Sequence, residues 1–130
     1  MEEIFKITKD IKQALALKAL AIDRLGDIKE LKKAYKIVEE YYEAVKELAT
    51  ALMYANGYKT LSHKALFIYL KKQHGKHFSE SDFRMMDKLR ITRNEIVYYG
   101  KGVDKAFLIN NEAKVKEAIG KLLRLLDSEI

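Results

Sequence analysis

The apolar positions recur at helical spacing along most of the chain, most clearly between residues 28 and 56. Ile28, Tyr35, Tyr42 and Ala49 repeat every seven residues, and Leu31, Val38, Val45 and Leu52 repeat likewise, offset by three. Together they form an apolar seam over four heptads. A second stripe lies beside it: Ala34, Ile37, Tyr41, Ala44, Leu48, Ala51 and Ala55. Two adjacent stripes require two or more helical neighbours, so this segment is predicted to be the central rod of a helical bundle. Lys29, Lys32, Lys33, Lys36, Glu39, Glu40, Glu43, Lys46 and Glu47 form its predicted solvated face, and Asn56-Gly57 ends it.

Four further helices follow from the same periodicity. The first is expected from about residue 3 to Leu25, carrying Ile4, Ile7, Ile11, Leu15, Ile22 and Leu25, with Gly26 as its stop. Asp27 and Glu30 then have the spacing of a capping box for the central helix. A short helix is expected from about Ser62 to Gln73, with Leu66, Tyr69 and Leu70 buried. The basic cluster Lys71, Lys72, His74, Lys76 and His77 lies at its end. Ser79 with Asp82, or Ser81, opens the next helix, whose inner face is Phe83, Met86, Leu89, Ile96 and Val97 and which Gly100 and Gly102 break. The last helix is expected from about Asn111 to Ser128, with Val115, Ile119, Leu122 and Leu126 inward. No segment alternates convincingly as a strand, and no repeat or linker divides the chain. The expectation is one all-α domain over residues 1–130, an up-and-down bundle of four long helices plus one short helix.

Composition narrows the class. The 130 residues are 48% hydrophobic and 34% charged, which suits a real core and not a disordered chain. There is no proline to interrupt the helices, and no cysteine for disulfides or thiolate metal sites. Abundant Lys, Glu and Ile are compatible with a heat-adapted source. Met1-Glu2-Glu3 is acidic where a signal peptide is basic. No apolar run approaches the roughly 18 residues of a membrane span. A cytoplasmic protein without membrane contact is therefore expected. The net charge of +6 raises the local concentration of phosphates and favours nucleic acid or another acidic partner.

The candidate chemistry lies on the fourth helix. Arg93 falls four residues after Leu89 and three before Ile96, and Arg90 four after Met86 and seven before Val97. Both stems leave near the apolar stripe, where an arginine needs water, a partner or a task. Snorkelling to water, or pairing with Asp87 or a carboxylate elsewhere, would account for either side chain, and more readily for Arg90. Arg93 has further polar groups beside it: Asn94 and the turn Tyr98-Tyr99-Gly100. Of the histidines, His63 begins a helix and reads as a capping or packing residue, and His74 and His77 read as exposed in a basic loop. Gly75 lies between that pair and no acidic or cysteine partner is near, so no metal is expected, and no cofactor. Tyr35, Tyr41, Tyr42 and Tyr69 have the spacing of core or dimer-interface residues. Gly100-Lys101-Gly102 lacks the rest of a phosphate loop and reads as a flexible turn.

The segment Arg93-Asn94-Glu95-Ile96-Val97-Tyr98 resembles the signature of the HEPN domains (higher eukaryotes and prokaryotes nucleotide-binding). That signature is an Arg, commonly followed by Asn, then a His a few residues on. The architecture is similar over roughly residues 1 to 128, and Ser62-His63-Lys64-Ala65-Leu66 also has a HEPN-like look, but the likeness is sharp only from Arg93 to Gly100. The resemblance implies a helical homodimer whose two motifs meet in one cleft. Many members are metal-independent ribonucleases in which a ribose 2′-hydroxyl attacks the adjacent phosphorus. The Arg steadies phosphoryl charge, the His moves the proton and the Asn orients its neighbours. Here Tyr98 stands where the His belongs. A phenol with a pKa near 10 is a poor base at neutral pH, so the binding half of the motif is present without its proton carrier. In toxin-type members a tyrosine beyond the His is adenylylated by a partner nucleotidyltransferase. That position is Gly100 here, and Tyr99 could serve only by a change of register.

Three functions follow as expectations. The first is an RNA- or nucleotide-binding HEPN-type homodimer using Arg90, Arg93, Asn94, Tyr98, Tyr99 and Lys101, with weakened or lost cleavage. The second is an active metal-independent ribonuclease toxin of a toxin–antitoxin pair, with Arg93, Asn94 and Tyr98 catalytic. The third is a helical protein-interaction module in which Arg93 is a buried structural residue bonded to Asp87, Glu95 or a carbonyl.

Overall fold

In the computed structural model, which describes residues 3–130, the chain runs β1 (Ile4–Lys6), α1 (Ile11–Asp27), α2 (Ala34–Asn56), β2 (Tyr58–Thr60), α3 (His63–His74), α4 (Glu80–Tyr99) and α5 (Lys105–Glu129). The described residues are mostly helical, with five helices and two short strands. Helices α1, α3, α4 and α5 all pack against α2. Val38, Tyr42, Val45 and Leu52 of its seam and Leu48 of the second stripe are fully enclosed. The doubled stripe thus marks a helix surrounded by others. No helix is long and apolar enough to cross a membrane among the described residues.

The amino-terminal segment departs from the helical expectation. Ile4–Lys6 pair antiparallel with Tyr58–Thr60, Ile4 opposite Thr60 and Lys6 opposite Tyr58. Two longer-range bonds hold the approach to α1: Ile7 N–H donates to the Gly57 carbonyl and Asp10 N–H to the Tyr54 carbonyl, both at 2.9 Å. Asp10 then caps α1 by accepting from Gln13 N–H at 2.9 Å, so the helix starts at Ile11. Ile4 and Ile7 keep helical spacing, yet their backbone groups are taken by the end of α2 and by β2. That partner lies some fifty residues away along the chain and leaves no local mark.

Gly26 does not stop α1. It stays helical, and the chain leaves through a 3-10 turn over Ile28–Glu30 to reach α2 only at Ala34. Asp27 makes no capping bond, and buried Ile28 anchors the connection to the core instead. The inward face of α1 is set by its small residues. Ala14 and Ala21 are buried, whereas Ile11, Leu15 and Ile22 stay exposed. Two alanines seven residues apart let α1 approach α2 closely, and the larger residues flank that line of contact. At the other end of the chain, α5 starts at Lys105 and not Asn111, because half-buried Phe107 and Leu108 extend its apolar face.

Two polar groups are buried where a solvated face or a simple cap was expected. Glu47 accepts from Arg24 Nε at 3.0 and 2.8 Å, and Arg24 Nη1 also donates to Glu40 at 3.1 Å, tying α1 to α2. Asp82 completes the capping box of α4: its Oδ2 accepts from Ser79 N–H at 2.8 Å, and its N–H donates to Ser79 Oγ at 3.1 Å. Its enclosed carboxylate also meets Lys121 Nζ at 2.6 Å and Lys114 Nζ at 2.9 Å, both from α5. On α4, Val97 is exposed although Met86 and Leu89 are buried, and Ile96 is half-buried, because the last turn runs past the core.

Gly57 and Gly26 provide opposite tests of this backbone. Gly57 closes α2 at φ 86°, and an added Cβ there would lie 3.0 Å from the Ile7 carbonyl oxygen. Gly57→Ala is expected to destabilise by about 1–2 kcal/mol from the left-handed backbone, before any clash. Gly26→Ala puts a methyl into open space in a helix and is expected to stabilise by about 0.5–1 kcal/mol. Urea unfolding of both variants checks this; the same sign for both would contradict the assigned backbone.

Candidate functional site

Arg93 reaches its position because α4 runs beside α2 with Leu89 buried between them. Its side chain is only 18% exposed. The guanidinium lies 5.3 Å from the centre of the Tyr42 ring, in cation–π range. Nη1 donates to Asn94 Oδ1 at 3.2 Å, and Nη2 sits 3.6 Å from Glu43 Oε2. The acidic partner of Arg93 is therefore Glu43 on α2, not Asp87 or Glu95. Glu43 is itself paired with Lys46 at 2.8 Å. A guanidinium offers five N–H donors, and this environment occupies few of them.

Tyr42 joins this cluster to a histidine. Its hydroxyl is 3.0 Å from Nδ1 of His63, the first residue of α3. Ser62, not His63, caps that helix by accepting from Ala65 N–H at 3.1 Å. Fully enclosed Tyr42 holds one edge of the imidazole, while His63 itself is exposed. Burial pushes the Tyr42 phenol up to about 12, although Arg93 and Arg90 pull it down. It is a neutral phenol at any ordinary pH. Partial covering of the ring on its Tyr42 side, followed by the charges of Lys46 and Arg93, pushes the His63 imidazole below its usual value, with Glu43 opposing.

The remaining predicted site residues separate into two groups. Arg90 donates to Asp87 Oδ1 from Nε at 3.2 Å and Nη2 at 2.8 Å, one of the pairings the sequence left open, and its charge still reaches Tyr42. Tyr98 is exposed, and its phenol also acts on Tyr42. Tyr99 points outward, exposed, and Lys101 pairs with Glu95 at 3.4 Å. Gly100 ends α4 at φ 64°, with its N–H donating to the Ile96 carbonyl. The fold thus gathers Arg93, Asn94, Arg90 and Tyr98 around Tyr42 and leaves Tyr99 and Lys101 outside.

Four members of the cluster carry no such mark in the sequence: Glu43 and Lys46 have the spacing of the solvated face, Tyr42 that of the core or a dimer interface, and His63 the place of a capping or packing residue. Tyr42 does both jobs, because its ring is core and its hydroxyl faces the site. His74, expected to be exposed, is buried: Nε2 lies 3.1 Å from Asn56 Oδ1, and its ring meets Tyr69 edge-on.

A groove of about 560 Å³ lies between α3 and α4, next to this cluster. Phe67, Ile68, Phe83 and Met86 form its apolar floor, and Lys64, Lys71, Arg84 and Arg90 form its rim with Glu80 and Asp87. Asp87 is engaged by Arg90 and Glu80 lies 3.9 Å from Lys71, so Lys64 and Arg84 are the cations without an ion-pair partner among the described residues. Phe67 also packs on Tyr42, ring centres 6.3 Å apart, which connects the groove floor to the cluster through the core.

No family model matches the chain, and no curated protein matches it.

Proposed function

We propose that this chain is a HEPN-type helical bundle that binds RNA or a nucleotide at the Arg93 cluster, with weakened or lost ribonuclease activity. One observation carries the reading: a mostly buried guanidinium, oriented by Tyr42 and Asn94, stands beside a groove with an aromatic floor and a cationic rim. A phosphate needs fork-like N–H donors and low local dielectric, and Arg93 supplies both. Glu43 at 3.6 Å orients the guanidinium without saturating it. An incoming phosphate can displace that carboxylate toward Lys46, which already holds it. A nucleobase suits the Phe67 and Phe83 floor, because aromatic rings stack on any base.

The same reading has the protein act as a homodimer. Exposed Ile11, Leu15 and Ile22 on α1 support a partner surface, and a light-scattering mass near the monomer value at micromolar concentration would count against it.

The site assignment is tested by binding of labelled random-sequence single-stranded RNA to wild type and Arg93→Ala over a range of salt. Losing charged hydrogen bonds worth about 1.5–3 kcal/mol weakens binding roughly 10- to 100-fold, and the log–log salt slope falls by about 1. Equal binding by the two proteins would show that Arg93 is a structural residue, the interaction-module reading.

A further inference from the structure

We infer that His63 is a catalytic residue of the Arg93 site, the group that takes the proton from a ribose 2′-hydroxyl and so restores phosphodiester cleavage to a motif whose own histidine position is Tyr98. This inference rests on the RNA-binding reading above.

A general base needs a nitrogen open to substrate, a partner that fixes its orientation and a cation placed for the charge that develops. His63 has all three. Its Nδ1 is 3.0 Å from the hydroxyl of Tyr42, which is fully enclosed and cannot swing away. Its Nε2 makes no hydrogen bond among the described residues, and the residue is exposed at the first turn of α3. Arg93 lies against the same tyrosine ring, 5.3 Å from its centre. One buried phenol thus positions both an imidazole and a guanidinium. Lys64, the next residue, lines the groove where the flanking nucleotides lie.

The step balances without any added reagent. The Tyr42–His63 bond runs in either direction with the imidazole tautomer; the reactive tautomer carries its proton on Nδ1, donates it to the Tyr42 oxygen and leaves a lone pair on Nε2. The 2′-oxygen gives its proton to Nε2 and bonds to phosphorus. The bond from phosphorus to the 5′-oxygen breaks, that oxygen takes a proton from water, and a 2′,3′-cyclic phosphate is left. His63 returns its proton to solvent. Arg93 holds the non-bridging oxygens as charge builds on them.

The charged and titratable groups facing His63 are Tyr42, Glu43 and Lys46 from α2 and Arg93 from α4. Partial covering of the ring, Lys46 and Arg93 outweigh Glu43 and keep the imidazole below its usual 6.5. Its basic form therefore predominates at neutral pH. Cleavage should rise with pH, reach half its plateau below 6.5, and stay flat above.

The test uses the full chain with labelled random-sequence single-stranded RNA in excess EDTA, following binding and cyclic-phosphate products separately. Wild type is expected to cleave. His63→Asn keeps a polar group for Tyr42 and should bind as wild type does, yet cleave about 10²- to 10⁴-fold more slowly, the usual worth of a proton-transfer group. Tyr42→Phe keeps the ring and frees the imidazole, so it should bind normally with a smaller loss of rate and an altered pH midpoint. Circular dichroism checks that both variants fold. Cleavage by His63→Asn at the wild-type rate overturns the inference. So does a wild type that binds RNA in an Arg93-dependent way and leaves it intact, and in both cases the binding reading stands. Equal binding by wild type and Arg93→Ala removes the reading itself.

Discussion

Asp82→Ala is expected to lower the unfolding free energy by about 3 kcal/mol, the lower end of the 3–5 kcal/mol range for breaking a buried ion pair. The carboxylate is fully enclosed, caps α4 through Ser79, and receives Lys121 and Lys114 from α5. Its loss removes the cap and the tie between the two helices together. The loss falls low in that range because the lysine side chains are 27% and 28% exposed and can turn to water. The same group predicts an acid limb. Burial opposes ionisation of Asp82, but Lys121, Ser79 and Lys114 outweigh it and hold the carboxyl well below the ordinary value of 3.8. A depressed folded-state pKa means that the unfolded chain takes up the proton first. Stability from this group is therefore complete above about pH 4 and drains away as the pH falls further. Urea unfolding from pH 7 to pH 2 reads both effects. A variant within about 1 kcal/mol of wild type, or one with the same acid limb, would show that the cluster does not hold α4 to α5.

Tyr42→Ala should be as damaging, and Tyr42→Phe should not. The ring is fully enclosed at the centre of α2 and packs on Phe67 and under Arg93. Deleting it leaves a cavity and removes the seat of the guanidinium, for about 3–5 kcal/mol. Removing only the hydroxyl gives up one hydrogen bond, to an imidazole that water can reach, for about 1 kcal/mol. The two variants separate the core role of this residue from its site role. Comparable losses in thermal unfolding would mean that the hydroxyl, not the ring, carries the stability, and the account of the core would need revision.

The helical class was legible in the sequence because burial on one side of a helix imposes its period on the chain. Val38, Val45, Leu48 and Leu52 announce α2, Leu66 and Leu70 announce α3, and Val115, Ile119, Leu122 and Leu126 announce α5. Local caps were legible where a side chain bonds its own first turn, as with Ser79 and Asp82 at α4, or where glycine takes a left-handed turn, as at Gly57 and Gly100. Strand β1 was not, since its pairing partner sits beyond α2. The inward line of α1 was not legible from its large apolar residues, because the small Ala14 and Ala21 make the close contact.

The candidate site divides along the same line. Arg93 and Asn94 stand out in the sequence because polar groups beside an apolar stripe are costly unless they have partners. Glu43, Tyr42 and His63 could be joined to them only by folding. Helical periodicity records which side of its own helix a residue occupies, and it carries no information about which residue of another helix lies opposite. The chain alone therefore determined that an arginine would be held at the edge of an apolar surface. The packing of α3 and α4 against α2 decided that a buried phenol would hold that arginine and an imidazole side by side.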